Sequence, residues 1–317
     1  MRRAHKTGAL LGAALFALAV LTPVGSAVPA GSAAGRADGA AVTGPEGSAD
    51  SAVSAPPVRA AAQQAAADFT GTVDMAGCSG AVVRMPGSAA GDQALVMTNA
   101  HCYEGAWPVP GEVLVDRPSH RLFNVLGRSG ESAVQVHATK ALYVTLTGTD
   151  LALYQVPVAY RELERDHKVT ALTLVTRRPA RGTDIHIVSA GLKKQFTCRV
   201  DHIAYRVLEF GNITKDVLRY TSGCDTDPGT SGSPVLSDGR VVAINNTSNH
   251  DGGRCTLDNP CEMARNGTIT THKGIGYATQ TYWLTTCMAP GTRLDLKRPG
   301  CLLPRSDPSL ARRGSGL

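Results

Sequence analysis

From Phe69 onward the chain alternates short apolar, β-branched runs with breaks made of Gly, Pro, Asp and Ser. The runs fall at Gly80–Arg84, Ala94–Thr98, Leu122–Leu126, Leu151–Val156, Asp184–Ser189, Val200–Arg206, Val217–Tyr220, Pro234–Leu236 and Val241–Asn245. Many short strands punctuated by turn residues predict an all-β sandwich or barrel. Helical periodicity is poor until Thr279–Met288, just before Pro290, which predicts one short C-terminal helix. Tyr160–Val169 is charged and lacks a strand pattern, so it reads as the linker between two halves. The polar, basic stretch after Cys301 reads as a frayed tail.

Upstream of Phe69 the pattern changes. Arg2, Arg3 and Lys6 precede an apolar run from Ala9 to Val20, and Gly25-Ser26-Ala27 follows. A basic start, a short apolar core and small residues describe a secretory signal over 1–27. The run is shorter than the ~18 apolar residues that argue for a membrane span. Residues 28–67 are dominated by Ala, Gly, Ser, Pro and Val, too poor in bulky side chains to repay their ordering, and read as a low-complexity leader or propeptide. The expected organisation is therefore signal (1–27), leader (28–67), an N-terminal β-domain (68–165), a C-terminal β-domain (166–288) and an extension (289–317).

Composition narrows the class. Eight cysteines, with no Cys-x-x-Cys pair, fit four disulfides in an oxidising, extracellular compartment and argue against a zinc ribbon. The net charge of +6 is spread thinly, apart from Arg177-Arg178 and Arg312-Arg313, and aromatics are scarce. A nucleic-acid surface would need a clustered basic face with stacking rings, so no such partner is expected. The remaining histidines lack metal-ligand spacing, and neither a metal nor a cofactor is expected.

Three segments carry chemistry: Thr98-Asn99-Ala100-His101-Cys102, Asp150-Leu151-Ala152-Leu153 and Gly229-Thr230-Ser231-Gly232-Ser233-Pro234. A serine hydroxyl needs a base within hydrogen-bond reach, and that base needs a partner fixing its tautomer. His101 fits the base, Asp150 the orienting carboxylate and Ser231 the nucleophile of acyl transfer. Gly229 and Ser231 would offer backbone N–H groups to the oxyanion, where each donor is worth about 10²–10³ in rate. The spacings, 49 and 81 residues, would put His101 and Asp150 on one half and Ser231 on the other. The order His, Asp, Ser excludes the α/β-hydrolase order, and Gly-x-Ser-Gly is not its nucleophile elbow.

Between about Gly71 and Cys287 these segments resemble the chymotrypsin/trypsin-like serine endopeptidases, and their Ser-Gly-Ser-Pro form resembles the bacterial secreted branch. The resemblance implies two six-stranded antiparallel Greek-key barrels, a protein or peptide substrate, and a monomer. It also implies a Cys78–Cys102 bridge around the histidine loop, and it aligns Ser189-Ala190-Gly191 with the turn opening the second barrel. Thr230 stands where the animal enzymes carry the aspartate of their activation switch, so that switch is absent.

For the other cysteines, neighbouring pairs are favoured: Cys198 with Cys224, Cys255 with Cys261, and Cys287 with Cys301. The competitor pairs Cys224 with Cys255 and Cys198 with Cys261. Asp225, six residues before Ser231, is either a pocket carboxylate for a basic substrate side chain or a turn residue. Thr226 and Asn246 join it as expected substrate contacts. Two rival functions remain, a catalytically inactive homologue binding in the same cleft and an adhesive wall protein. The first usually loses a triad residue, and none is lost here. The second predicts repeats or a sorting signal, and the sequence has neither.

Overall fold

The computed structural model describes residues 67–306, so the expected signal, nearly all of the leader and the last residues of the tail lie outside it. In chain order the first part runs β1 (Thr72–Asp74), β2 (Ser79–Arg84), β3 (Gln93–Thr98), β4 (Leu114–Pro118), β5 (Leu122–Leu126), β6 (Ser132–His137), β7 (Lys140–Thr145), β8 (Thr147–Gly148), β9 (Leu151–Ala159) and α1 (Tyr160–His167). The second part runs β10 (Leu172–Thr173), β11 (Asp184–Ser189), β12 (Lys194–Glu209), β13 (Asn212–Tyr220), β14 (Pro234–Ser237), β15 (Arg240–Ser248), β16 (Cys261–Met263), β17 (Ile269–Thr271), β18 (Gly276–Gln280), α2 (Tyr282–Cys287), β19 (Met288–Ala289) and β20 (Arg293–Leu294).

Two curled, mainly antiparallel sheets result. The first has the order β4-β7-β9-β3-β2-β1-β5-β6, with β10 added beside β2. Just beyond β6, Thr139 returns to β9, its N–H and Oγ1 both donating to the Gln155 carbonyl (2.9 and 3.0 Å). In the second sheet β12 pairs with both β11 and β13, which closes β11, β14, β15, β18, β13 and β12 into a ring of six. This is the expected all-β, chymotrypsin-like architecture. The alternation along β3 and β9 splits side chains between two cores. Val96, Ala152 and Tyr154 face one with Phe123, while Leu95, Met97, Leu151 and Leu153 face another with Val241 and Leu284. At about 1.5–3 kcal/mol for each large apolar side chain removed from water, these clusters hold the sheets in place.

The segment expected as the linker folds as a helix. In α1, Tyr160 and Leu163 lie three residues apart and are buried, and the Glu162 carboxylate accepts the Ala159 N–H (2.8 Å). Two inward residues suffice for so short a helix, and its outer charges hid the pattern. The C-terminal helix forms later than expected, because Thr279 and Gln280 belong to β18. Disulfides join Cys78–Cys102, Cys198–Cys224, Cys255–Cys261 and Cys287–Cys301, the favoured set. Among the described residues no helix is long and apolar enough to cross a membrane.

Candidate active site

His101 sits in a single 3₁₀ turn (Ala100–Cys102) directly after β3, and the Cys78–Cys102 bridge ties that turn to the start of β2. Asp150 immediately precedes β9, which pairs with β3, so the two residues meet where those strands end. The Asp150 carboxylate is saturated with donors. Oδ1 accepts the N–H groups of Ala100 (2.6 Å) and His101 (3.2 Å), and Oδ2 lies 2.7 Å from His101 Nδ1. Asn99 Nδ2 adds a bond to the Asp150 carbonyl (3.0 Å). A carboxylate only accepts, which puts the ring proton on Nδ1 and leaves Nε2 as the free nitrogen. Burial disfavours charge on His101. Asp150 nevertheless outweighs it, with Glu209 and Asp258 adding, and raises the histidine pKa above 6.5. Trp107 Nε1 donates to the His101 carbonyl (3.0 Å) and its ring stands edge-on to the imidazole.

Ser231 comes from the turn before β14, held against the first sheet. Its carbonyl accepts the Ser79 N–H (2.7 Å). Gly232 follows at φ +79°, where a Cβ would stand 2.1 Å from the Ser79 carbonyl oxygen and 2.2 Å from Thr98 Oγ1. Only glycine fits there. Thr230 is buried and neutral. It accepts from Asn245 Nδ2 (2.9 Å), and Asn245 Oδ1 in turn accepts from Tyr220 (2.9 Å). Gly229 has φ +94° and its carbonyl accepts a long bond from Ser79 Oγ (3.4 Å). Among the described residues neither the Gly229 nor the Ser231 N–H has a hydrogen-bond partner.

His101, Asp150 and Ser231 line one open cavity with about 620 Å³ of empty space. Ser231 Oγ donates weakly to the Asn246 carbonyl (3.4 Å), and no hydrogen bond joins it to His101. A smaller cavity of about 280 Å³ is also lined by Ser231, with Thr226, Asn246, Ser248, His250 and Asp258 in its wall. Thr226 is buried and shares a 2.8 Å hydrogen bond with Ser248 Oγ, and Asn246 lines both cavities. Asp225 does not join them. It is exposed and lines neither cavity, because the chain turns its neighbour Thr226 inward. Glu209 and Asp258, which the sequence reading passed over, face the larger cavity. Within ligating reach of one another stand Cys78, His101 and Cys102, but both sulfurs belong to one disulfide and cannot hold a metal.

A curled β architecture with this histidine, aspartate and serine around one cavity defines a trypsin-like peptidase domain. The family model of that description matches residues 78–244, and the chain belongs to this family. Similar solved structures include the active form of the Rv3671c protease from M. tuberculosis (16% identity, 74% of this chain and 81% of that chain, TM-score 0.41). They also include the MamO protease domain of Magnetospirillum magneticum (14% identity, 67% and 92%, TM-score 0.40) and Cellulomonas bogoriensis chymotrypsin (11% identity, 68% and 91%, TM-score 0.38). No curated protein matches the chain in sequence.

Proposed function

We propose that the protein is a secreted serine endopeptidase that cleaves polypeptides through an acyl-enzyme formed on Ser231, with 1–27 removed on export and 68–165 and 166–288 forming the two halves of the cleft. One observation carries this reading: the 2.7 Å His101–Asp150 contact fixes the histidine tautomer in the cavity that Ser231 also lines. Ser231 Oγ leaves its weak bond to Asn246, passes its proton to His101 Nε2 and attacks the substrate carbonyl carbon. The oxyanion is received by the Gly229 and Ser231 N–H groups, which no protein acceptor occupies. His101 then protonates the departing amine, and water, deprotonated by the same nitrogen, releases the acyl group.

Labelling with a fluorophosphonate tests the assignment. The wild-type protein incorporates the probe and hydrolyses peptides, and Ser231→Ala does neither. A folded protein that fails to label would instead favour the non-catalytic binding homologue.

A further inference from the structure

Glu209 has no role in the chemistry above, yet its carboxyl group forms part of the cavity wall beside His101. It ends β12 at the tip of a long hairpin. Its Oε1 accepts two hydrogen bonds, from Thr247 Oγ1 (2.9 Å) and from the Asp258 N–H (2.8 Å). Two donors on one oxygen fix the group and leave Oε2 without a partner among the described residues. Asp258 lines the same wall, and no described lysine or arginine pairs with either carboxylate. The lining contains no lysine or arginine at all.

Around this acidic wall the collar is apolar. Trp107, Phe210 and Leu257 line the cavity and are 44%, 62% and 50% exposed. An apolar collar above an unpaired carboxylate matches a side chain with a long aliphatic stem and a cationic end. We propose that this cavity, which shares Ser231, Asn246, Thr247 and Asp258 with the pocket walled by Thr226 but alone includes Glu209, is the subsite for a lysine or arginine of the bound polypeptide, with Glu209 as its charge partner. The proposal rests on the peptidase reading for its substrate.

The electrostatics of the site agree. Burial, with Asp150 adding, pushes the Glu209 carboxyl up to about 7, against the opposing effect of Thr247, the Asp258 N–H and His101. A cation offsets the cost of burying that charge. His101, Asp150 and Asp258 are the charged or titratable groups facing Glu209, so preference for a basic side chain grows from pH 6 to pH 8 as Glu209 ionises and His101 sheds its proton.

Binding without turnover tests this. Peptides with lysine, or the uncharged isostere norleucine, scanned through each position are titrated calorimetrically into Ser231→Ala protein at pH 8. At one position lysine is expected to bind about tenfold more tightly, the worth of one charge-assisted hydrogen bond. Ser231→Ala/Glu209→Gln brings that ratio close to one, and Ser231→Ala/Asp258→Asn lowers it partway. If the Glu209 variant does not fold, the Asp258 variant and the fall in the ratio between pH 8 and pH 6 decide instead. Equal binding of the two peptides at every position overturns the subsite, as does a lysine advantage that survives Glu209→Gln. Fluorophosphonate labelling of the wild-type protein is read alongside. Labelling without a lysine advantage removes the subsite alone. A lysine advantage without labelling removes the peptidase reading and keeps the subsite.

Discussion

Of the three carboxylates that line the cavity beside His101, Asp150 and Glu209 come one from each sheet and are held in opposite ways. Asp150 receives donors on both oxygens, from Ala100, from the His101 backbone and from the imidazole itself. Glu209 receives two donors on one oxygen and keeps the other uncommitted. The same chemical group thus becomes an internal brace in one place and a receptor in the other. The distribution of donors marks the difference.

The sharpest way to break this comparison is Asp150→Asn, which loses the acceptor that fixes the imidazole tautomer. A fall in kcat of about 10³–10⁴ is expected on a peptide substrate, and a loss below tenfold would mean that Asp150 does not brace His101. Glu209→Gln acts more mildly and first through stability. The folded protein holds the Glu209 proton up to about pH 7, whereas an ordinary glutamate releases it near 4.5. Its contribution to stability is therefore complete below pH 4.5 and is lost as pH rises through 7. Denaturant midpoints at pH 5 and pH 8 should show the wild type falling relative to the Gln variant. Parallel midpoints would remove the raised pKa.

A smaller effect is expected on rate. Glu209 helps to raise the His101 pKa, and the base must be neutral to act. With a norleucine peptide, the acid limb of kcat/KM in Glu209→Gln should move to lower pH by a fraction of a unit. A shift to higher pH would contradict the assigned coupling. Least of all should Asp225→Asn matter. That residue is exposed and outside both cavities, so the lysine-to-norleucine ratio should stay within about twofold of wild type.

Much of this site was legible in the sequence because each part is local. The His101, Asp150 and Ser231 segments are short, and each places its residue at the end of a strand or at a glycine turn. The strands at Leu122–Leu126 and Asp184–Ser189 were readable to the residue from their apolar content. Leu114–Pro118 was not, because it is largely exposed and carries a proline and a positive φ at Asp116. Asp225 stayed open between pocket and turn because counting back from Ser231 fixes a distance along the chain, while the turn decides which neighbour points inward. Glu209 gave no signal at all. Val207-Leu208-Glu209-Phe210-Gly211 reads as an ordinary hairpin end, and its cavity exists only because residues near 101, 247 and 258 arrive from elsewhere.

Ser79 has a wider consequence. This buried residue of β2 touches the second sheet four times: its N–H meets the Ser231 carbonyl, and its Oγ meets Ser189, Gly191 and Gly229. Its own carbonyl is the surface against which Gly232 must stay bare. The turn bearing the proposed nucleophile is thus moulded on a strand made about 150 residues earlier in the chain. Neither half alone carries the whole mould, so a nascent or severed chain would have the chemical groups without their arrangement. On the proposed reading, the surroundings of the serine are complete only once both sheets have formed.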